Sequence, residues 1–212
     1  MPVVAAVVEH PGQRLLNVGF AARPTYGEAL KKAWTEALTL QTGSRDMLRA
    51  DSNLAWAIGM GLIGGGWLKP FRSDRRYLND FRSDFRDINE LAAQQQYYLD
   101  ARAREPISHL IDVHETEAWP GENELVDRSL EQYQKMILER GYGILVAEVT
   151  TPDVLSAGLH VVRVIIPGLV ANFAAALPML GHGRLQAVPH ELGLVERPRE
   201  LHEMNGSPFP HA

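Results

Sequence analysis

The stretch from His160 to Leu169, HVVRVIIPGL, constrains the fold more than any other part of the chain. Its β-branched residues, closed by Pro167-Gly168, predict a strand, and the nearly unbroken apolar run predicts one covered on both faces. Arg163 stands in the middle and shares a face with Leu159, Val161 and Ile165. A guanidinium buried without a counter-charge costs several kcal/mol, so it must meet an anion. The identity of that anion is the functional question.

The elements around this strand predict an α/β (α+β) fold, a mixed sheet with flanking helices. Pro2–Val8 and Leu15–Phe20 read as a hairpin turning at His10-Pro11-Gly12-Gln13. Thr25 is placed to cap a helix whose apolar stripe is Leu30, Ala33, Trp34, Ala37 and Leu38. A second helix is expected over about Met47–Leu62, dissolving in Gly61 and Gly64–Gly66. In KPFRSDRRYLNDFRSDFRD the word Phe-Arg-Ser-Asp occurs twice, and its alternating charges suggest a solvated helix laced with ion pairs. Ile107–Val113 reads as a short strand, Leu125–Glu139 as a helix with Leu130, Tyr133, Met136 and Ile137 on one side, and Ile144–Val149 as a strand. Thr151–Ala157 is a short helix or turn, Ala171–Pro178 a loop or short helix, and Gly181–Leu185 a turn. Periodicity is lost from Pro189, and the chain finishes in an extended proline-rich tail. No long repeat and no second domain is evident.

Several function classes are excluded at this level. A net charge of -5 opposes general nucleic-acid binding, which relies on cationic contacts to phosphate. The sequence has no cysteine, so it has no disulfide, thiolate metal site or cysteine nucleophile, which suits a cytoplasmic protein. Met1 runs into PVVAAVVEH, which has no basic flank and is too short to span a membrane. His190-Glu191 and His202-Glu203 do not complete H-E-x-x-H, and Asp112–Glu117 reads equally as a cation site or an exposed loop. Gly61–Gly66 lacks the Gly-Lys-Ser/Thr ending of a phosphate loop and follows a helix, where a dinucleotide fingerprint follows a strand. There is no Gly-x-Ser-x-Gly elbow.

Four segments carry a resemblance: Thr150-Thr151-Pro152-Asp153, then GLHVVRVIIPGL from Gly158 to Leu169, the Gly-Arg-Leu turn ending at Leu185, and the proline-rich end. With the first forty residues, they resemble the carboxyl-terminal half of the YcaO family, ATP-dependent enzymes that modify peptide backbones. The resemblance implies a partial YcaO-type domain over residues 1–196 and a tail over 197–212. It also implies an activity. A Cys, Ser or Thr side chain of a ribosomal precursor peptide attacks the preceding amide, whose oxygen ATP phosphorylates, and loss of phosphate leaves a thiazoline or oxazoline; some relatives make thioamides or amidines.

Site residues follow from the same resemblance. Arg163 matches an arginine of the nucleotide site, where a forked, permanently charged group suits phosphate. Glu36 matches a glutamate of the nucleotide and Mg2+ site, and Mg2+ prefers oxygen ligands. Read from the helix alone, Glu36 either faces a cleft or sits solvated beside Lys32. Relatives often carry a glutamine one turn later, where this chain has Thr39; Gln41 and Arg45 form a Gln-x-x-x-Arg pair that relatives also use at the nucleotide. In azoline-forming relatives the tail is Pro-x-Pro-x-Pro, and its terminal carboxylate is thought to assist proton transfer. Here Pro208 and Pro210 fit, and Ala212, the last residue, stands in the third place. A disordered end is the other reading of such a tail.

The family's Ser-x-x-x-Glu-x-x-Glu-Arg motif has no match, and Met1 stands where the second half of a relative would begin. Either a separate chain supplies the amino-terminal half, or that half is lost or truncated; the other expected partners are a leader-recognition protein and the precursor peptide, with no nucleic acid and no membrane. The alternative is a degenerate, non-catalytic module that binds a partner enzyme or peptide. Either way, unpaired strand edges would favour self-association into a homo-oligomer or pairing with a missing half.

Overall fold

The computed structural model describes residues 1–112, 124–170, 173–177 and 183–211. They group into two compact units. The first holds the described residues of Met1–Leu125, Asn172–Pro178 and Met204–Ala212, and the second those of Val126–Ala171 and Met179–Glu203. The tail expected over 197–212 is thus divided between them.

The first unit is built on the hairpin β1 (Val3–His10) and β2 (Leu15–Ala22), antiparallel in register from Val3 opposite Ala22 to His10 opposite Leu15. Gln13 N closes the turn on His10 O (3.2 Å) and His10 Nδ1 (3.1 Å). Helix α1 (Tyr26–Asp46) packs on the sheet, started by Thr25, whose Oγ1 accepts from Glu28 N and donates to Glu28 Oε2. Its buried ridge is Ala29, Ala33, Ala37 and Ser44, whereas Leu30, Trp34 and Leu38 of the expected stripe are exposed. Gly19 of β2 explains the difference: a Cβ there would stand 2.1 Å from Ala33 O and 2.7 Å from Ala37 N. Backbones this close leave room for alanine only. A second core lies beyond, where Leu15, Leu16, Tyr77, Phe81, Ile88, Tyr97, Tyr98, Leu99 and Ile107 pack together.

Three further sequence expectations are corrected in this unit. Met47–Leu62 is not one helix: α1 stops at Asp46, and α2 spans Asn53–Gly59. Ser52 caps α2, and the Asp46 carboxylate takes Asn53 N (3.1 Å) and Leu54 N (3.1 Å), so these polar side chains make a break rather than a continuation. The Phe-Arg-Ser-Asp segment is not a solvated helix but one turn built twice. In each copy arginine forks onto the aspartate two residues later (Arg72 Nη2 to Asp74, 2.7 Å; Arg82 Nη2 to Asp84, 2.7 Å). The aspartate Oδ1 accepts from the amide two residues on, Arg76 N or Arg86 N. The residue between is left-handed, Arg75 at φ 56° and Phe85 at φ 56°. Only a short 3-10 turn, Tyr77–Asn79, joins the copies. Of the strand expected over Ile107–Val113, the described part is helical: after α3 (Leu91–Tyr97) and a 3-10 segment, Ala101–Ile107, α4 spans Ser108–Ile111. Asp112 N closes it on Ser108 O at 2.8 Å.

The second unit contains α5 (Leu130–Leu138), β3 (Leu145–Glu148), α6 (Pro152–Ser156), β4 (Val162–Ile165) and α7 (Arg184–Glu191). Strands β3 and β4 form a two-stranded antiparallel sheet in which Ala147 faces Arg163. The coverage expected for this strand is absent among the described residues: Val162, Arg163, Val164 and Ile165 are all exposed. The apolar run marks a strand correctly, but two strands without a layer on either face bury neither. Gly183, at φ 87°, leads into α7, which continues through Pro189 where the sequence suggested loss of order. The segments 113–123, 171–172 and 178–182 lie outside the described residues, with most of the acidic run after Asp112 and part of the Gly181–Leu185 turn. Among the described residues no helix is long and apolar enough to cross a membrane.

Two outcomes follow for stability. Gly19→Ala should destabilise the first unit by about 1–3 kcal/mol, the cost of overpacking against backbone that cannot yield. Gly59→Ala, where an added Cβ meets nothing within 4 Å, should be neutral or slightly stabilising, and urea melts compare the two. The Arg72 and Arg82 forks, then the Arg76 and Arg86 amides, hold the Asp74 and Asp84 carboxyls well below their usual range. Both aspartates are exposed. Their stabilisation is therefore present above the unfolded carboxyl range and is lost as pH falls through about 4 and lower. Melts of the Asp74→Asn/Asp84→Asn double variant across that window should show a flatter acid limb than the parent.

Candidate functional site

Every second residue of an edge strand turns its N–H and C=O away from the paired strand. On β2 these include Val18 and Phe20, and both are taken up by residues far away in sequence. Val18 N donates to Pro210 O (3.2 Å), and Val18 O lies 3.0 Å from His211 Nδ1. Phe20 N donates to Glu36 Oε2 at 3.3 Å. Glu36 and the proline-rich tail therefore occupy successive positions on one strand edge.

Glu36 reaches this edge because it flanks the alanine ridge of α1 on the side opposite Trp34. It is half-buried, and Lys32 Nζ stands 3.5 Å from its Oε1. One carboxylate oxygen thus meets the lysine and the other the strand edge.

The tail is docked. Pro208 and Pro210 are buried, and the Phe209 ring stacks on Phe20 with centroids 4.7 Å apart. The His211 ring meets Phe20 edge-on at 5.5 Å. Helix α3 grips the tail from the other side: the Tyr98 hydroxyl donates to Pro208 O, and Gln94 Nε2 donates to His211 O at 2.7 Å. Burial pushes the Tyr98 phenol up, which keeps it a proton donor. Ala212 itself lies outside the described residues.

The glutamines of α3 were not signalled by the sequence, since a polar triplet carries no periodicity. Each bridges a different segment. Gln94 also accepts from Ala175 N (3.2 Å), Gln95 donates to Leu40 O (2.6 Å) and Ser44 Oγ (3.1 Å), and Gln96 holds both backbone groups of Lys69. Ser44 Oγ further accepts from Asn17 Nδ2 at 2.9 Å. Next to this network two buried polar atoms have no partner among the described residues, Asn17 Oδ1 and Gln41 Nε2. Gln41 and Ser44, three residues apart, share a face of α1. Arg45 is exposed in the last turn of the helix.

Arg163 is carried by the second unit, on exposed β4 opposite Ala147. Solvent stabilises its charge there, so the buried counter-anion required by the sequence argument is not needed.

Among the described residues no three His, Asp or Glu side chains gather as a metal site requires. Glu36 is a lone carboxylate already engaged by Lys32 and Phe20 N, so these residues do not by themselves make a Mg2+ site. The orphaned Gln41 donor does suit a ligand acceptor such as a nucleotide offers.

The family model described as YcaO cyclodehydratase, ATP- and Mg2+-binding, matches residues 1–170. The chain belongs to the YcaO family. Among solved structures it is similar to one titled "Heterocyclase in complex with substrate and Cofactor", with 22% identity and a TM-score of 0.52. That match covers 99% of this chain and 23% of the heterocyclase, so the chain spans about a quarter of that protein's length. It supports the α/β fold. A search of curated proteins found no match.

Deleting residues 208–212 should release the outer edge of β2. Hydrogen exchange at the Val18 amide should then accelerate at least about tenfold, while that of Leu99 in the core is unchanged. Unchanged exchange at Val18 would mean that the tail does not hold this edge in solution.

Proposed function

We propose that the chain is one part of a split, YcaO-type ATP-dependent cyclodehydratase. In this reading residues 1–196 form the carboxyl-terminal portion of its catalytic domain and 197–212 its tail. It converts Cys, Ser or Thr of a ribosomal precursor peptide to thiazoline or oxazoline in the cytoplasm, in the biosynthesis of a modified-peptide natural product. A leader-recognition protein presents the peptide, and a separate chain supplies the amino-terminal nucleotide and Mg2+ ligands; a homo-oligomer fits as a further assembly. One observation supports the reading: the tail lies on the same strand edge as Glu36, the two elements that the resemblance assigns to the nucleotide site and to proton transfer.

In this reading Arg163 steadies a phosphate of ATP, Gln41 and Arg45 face the nucleotide, and Glu36 contributes one oxygen to the Mg2+ that other residues complete. Pro208 and Pro210 shape the arm with little conformational entropy to lose, and the Ala212 carboxylate ends it near the reacting amide.

The test is co-expression with a protein that carries the Ser-x-x-x-Glu-x-x-Glu-Arg half, followed by measurement of peptide-dependent phosphate release. Arg163→Ala should lower that release about tenfold or more, the worth of one charge-assisted contact. Unchanged release would remove Arg163 from the nucleotide site. Appending a few residues after Ala212 should abolish ring formation with little change in nucleotide affinity, whereas Ala212→Pro should be tolerated. A tag without effect on turnover would withdraw the tail from catalysis.

A further inference from the structure

The arm carries a second proton-handling group besides its terminus. His211 is held at three places: its Nδ1 by Val18 O at 3.0 Å, its carbonyl by Gln94 Nε2 at 2.7 Å, and its ring edge-on to Phe20 at 5.5 Å. A backbone carbonyl only accepts, so the contact at Val18 O requires the proton on Nδ1. The neutral ring then presents an unprotonated Nε2, which has no hydrogen-bond partner among the described residues. Fixing one imidazole nitrogen through a backbone carbonyl is how a protein commits the other to accepting a proton.

We propose that His211 is a general base of the cyclodehydration, taking the proton of the attacking side chain at Nε2. The proposal rests on the reading of the tail as part of the active site. As the Cys Sγ or Ser/Thr Oγ bonds to the preceding amide carbon, its proton passes to Nε2 and the carbonyl π pair moves onto the amide oxygen. The imidazolium later returns the proton to solvent. Imidazole is the side chain most often used as a general base near neutral pH, where a carboxylate is the weaker base. The terminus remains available for the second proton, lost from the amide nitrogen when the ring is completed. The titratable groups bonded to the same strand edge or to the tail are Glu36, with Lys32 beside it, and Tyr98.

Two measurements test this. Long-range 1H–15N spectra of the full chain, with His211→Gln to assign the signals, should show His211 as the Nδ1–H tautomer with an unprotonated Nε2 near neutral pH. An Nε2–H tautomer overturns the proposal, whatever the tail does in catalysis. In the assembled enzyme described above, the peptide that drives phosphate release is then compared with Cys and with Ser at the reacting position. A thiol is already partly ionised near neutral pH and needs a base less than a hydroxyl does. His211→Gln should therefore slow Ser cyclisation by about 10²–10⁴-fold and Cys cyclisation clearly less. Val18 amide exchange monitors whether the variant tail remains docked. Equal losses for both peptides, or no loss, with the tail docked, overturn the role of His211. If the Nδ1–H tautomer is present but deleting the tail leaves turnover intact, the reading of the tail as part of the active site is what fails.

Discussion

The first unit depends on how closely β2 approaches α1 at Gly19. Because Ala33 O and Ala37 N stand where a Cβ would project, the helix axis is drawn in, and only alanines and Ser44 fit the seam. This approach brings a side chain on the flank of the helix within reach of the strand edge. Glu36 can take the Phe20 amide because the Ala33–Ala37 turn lies against Gly19. A larger residue in the seam would lift the carboxylate off the edge and leave an amide unpaired, so packing and site geometry are the same constraint.

The outer edge of β2 is managed in a related way. An open edge is a liability, and barrels or covering elements normally remove it. Here a carboxylate and a two-residue stretch of tail share the task. The tail has too few backbone bonds to hold itself there, and α3 supplies the remainder through Tyr98 and Gln94, one helical turn apart. The neighbouring Gln95 bonds to the end of α1, and Gln96 to the Lys69 backbone. One short helix thereby ties the tail, α1 and the Lys69 segment to a common frame, using amide groups that both donate and accept.

These devices explain what was legible in the sequence. Strands β1 to β4, the Thr25 cap and α6 were marked by local signals, since β-branching, capping oxygens and Pro-Gly stops act within a few residues. The buried ridge of α1 was misread because hydropathy favours Leu30, Trp34 and Leu38, whereas close approach to Gly19 selects alanine. The Phe-Arg-Ser-Asp turns were misread because alternating Arg and Asp suit helical pairing and i, i+2 forks equally well, and only the left-handed Arg75 and Phe85 decide between them. Glu36 and the tail were found through the family resemblance, but their adjacency was invisible: it joins residues far apart in sequence through backbone groups that no side-chain pattern encodes. Gln94 and Asn17 gave no signal at all.

Arg163 separates two kinds of argument. Its place in an apolar run suggested a buried charge that needs a partner to exist. On a two-stranded sheet exposed on both faces that requirement disappears, because water meets the guanidinium at no cost. The fold of the second unit neither demands nor forbids an arginine opposite Ala147, whose small side chain leaves the guanidinium unobstructed. What argues for a ligand there is family resemblance alone. In the first unit the balance is reversed: Glu36, Pro210 and His211 are held by bonds that can be counted, so a functional argument can start from the geometry. Burial predicts a partner only where burial occurs, and a strand's composition does not reveal whether a second layer will cover it.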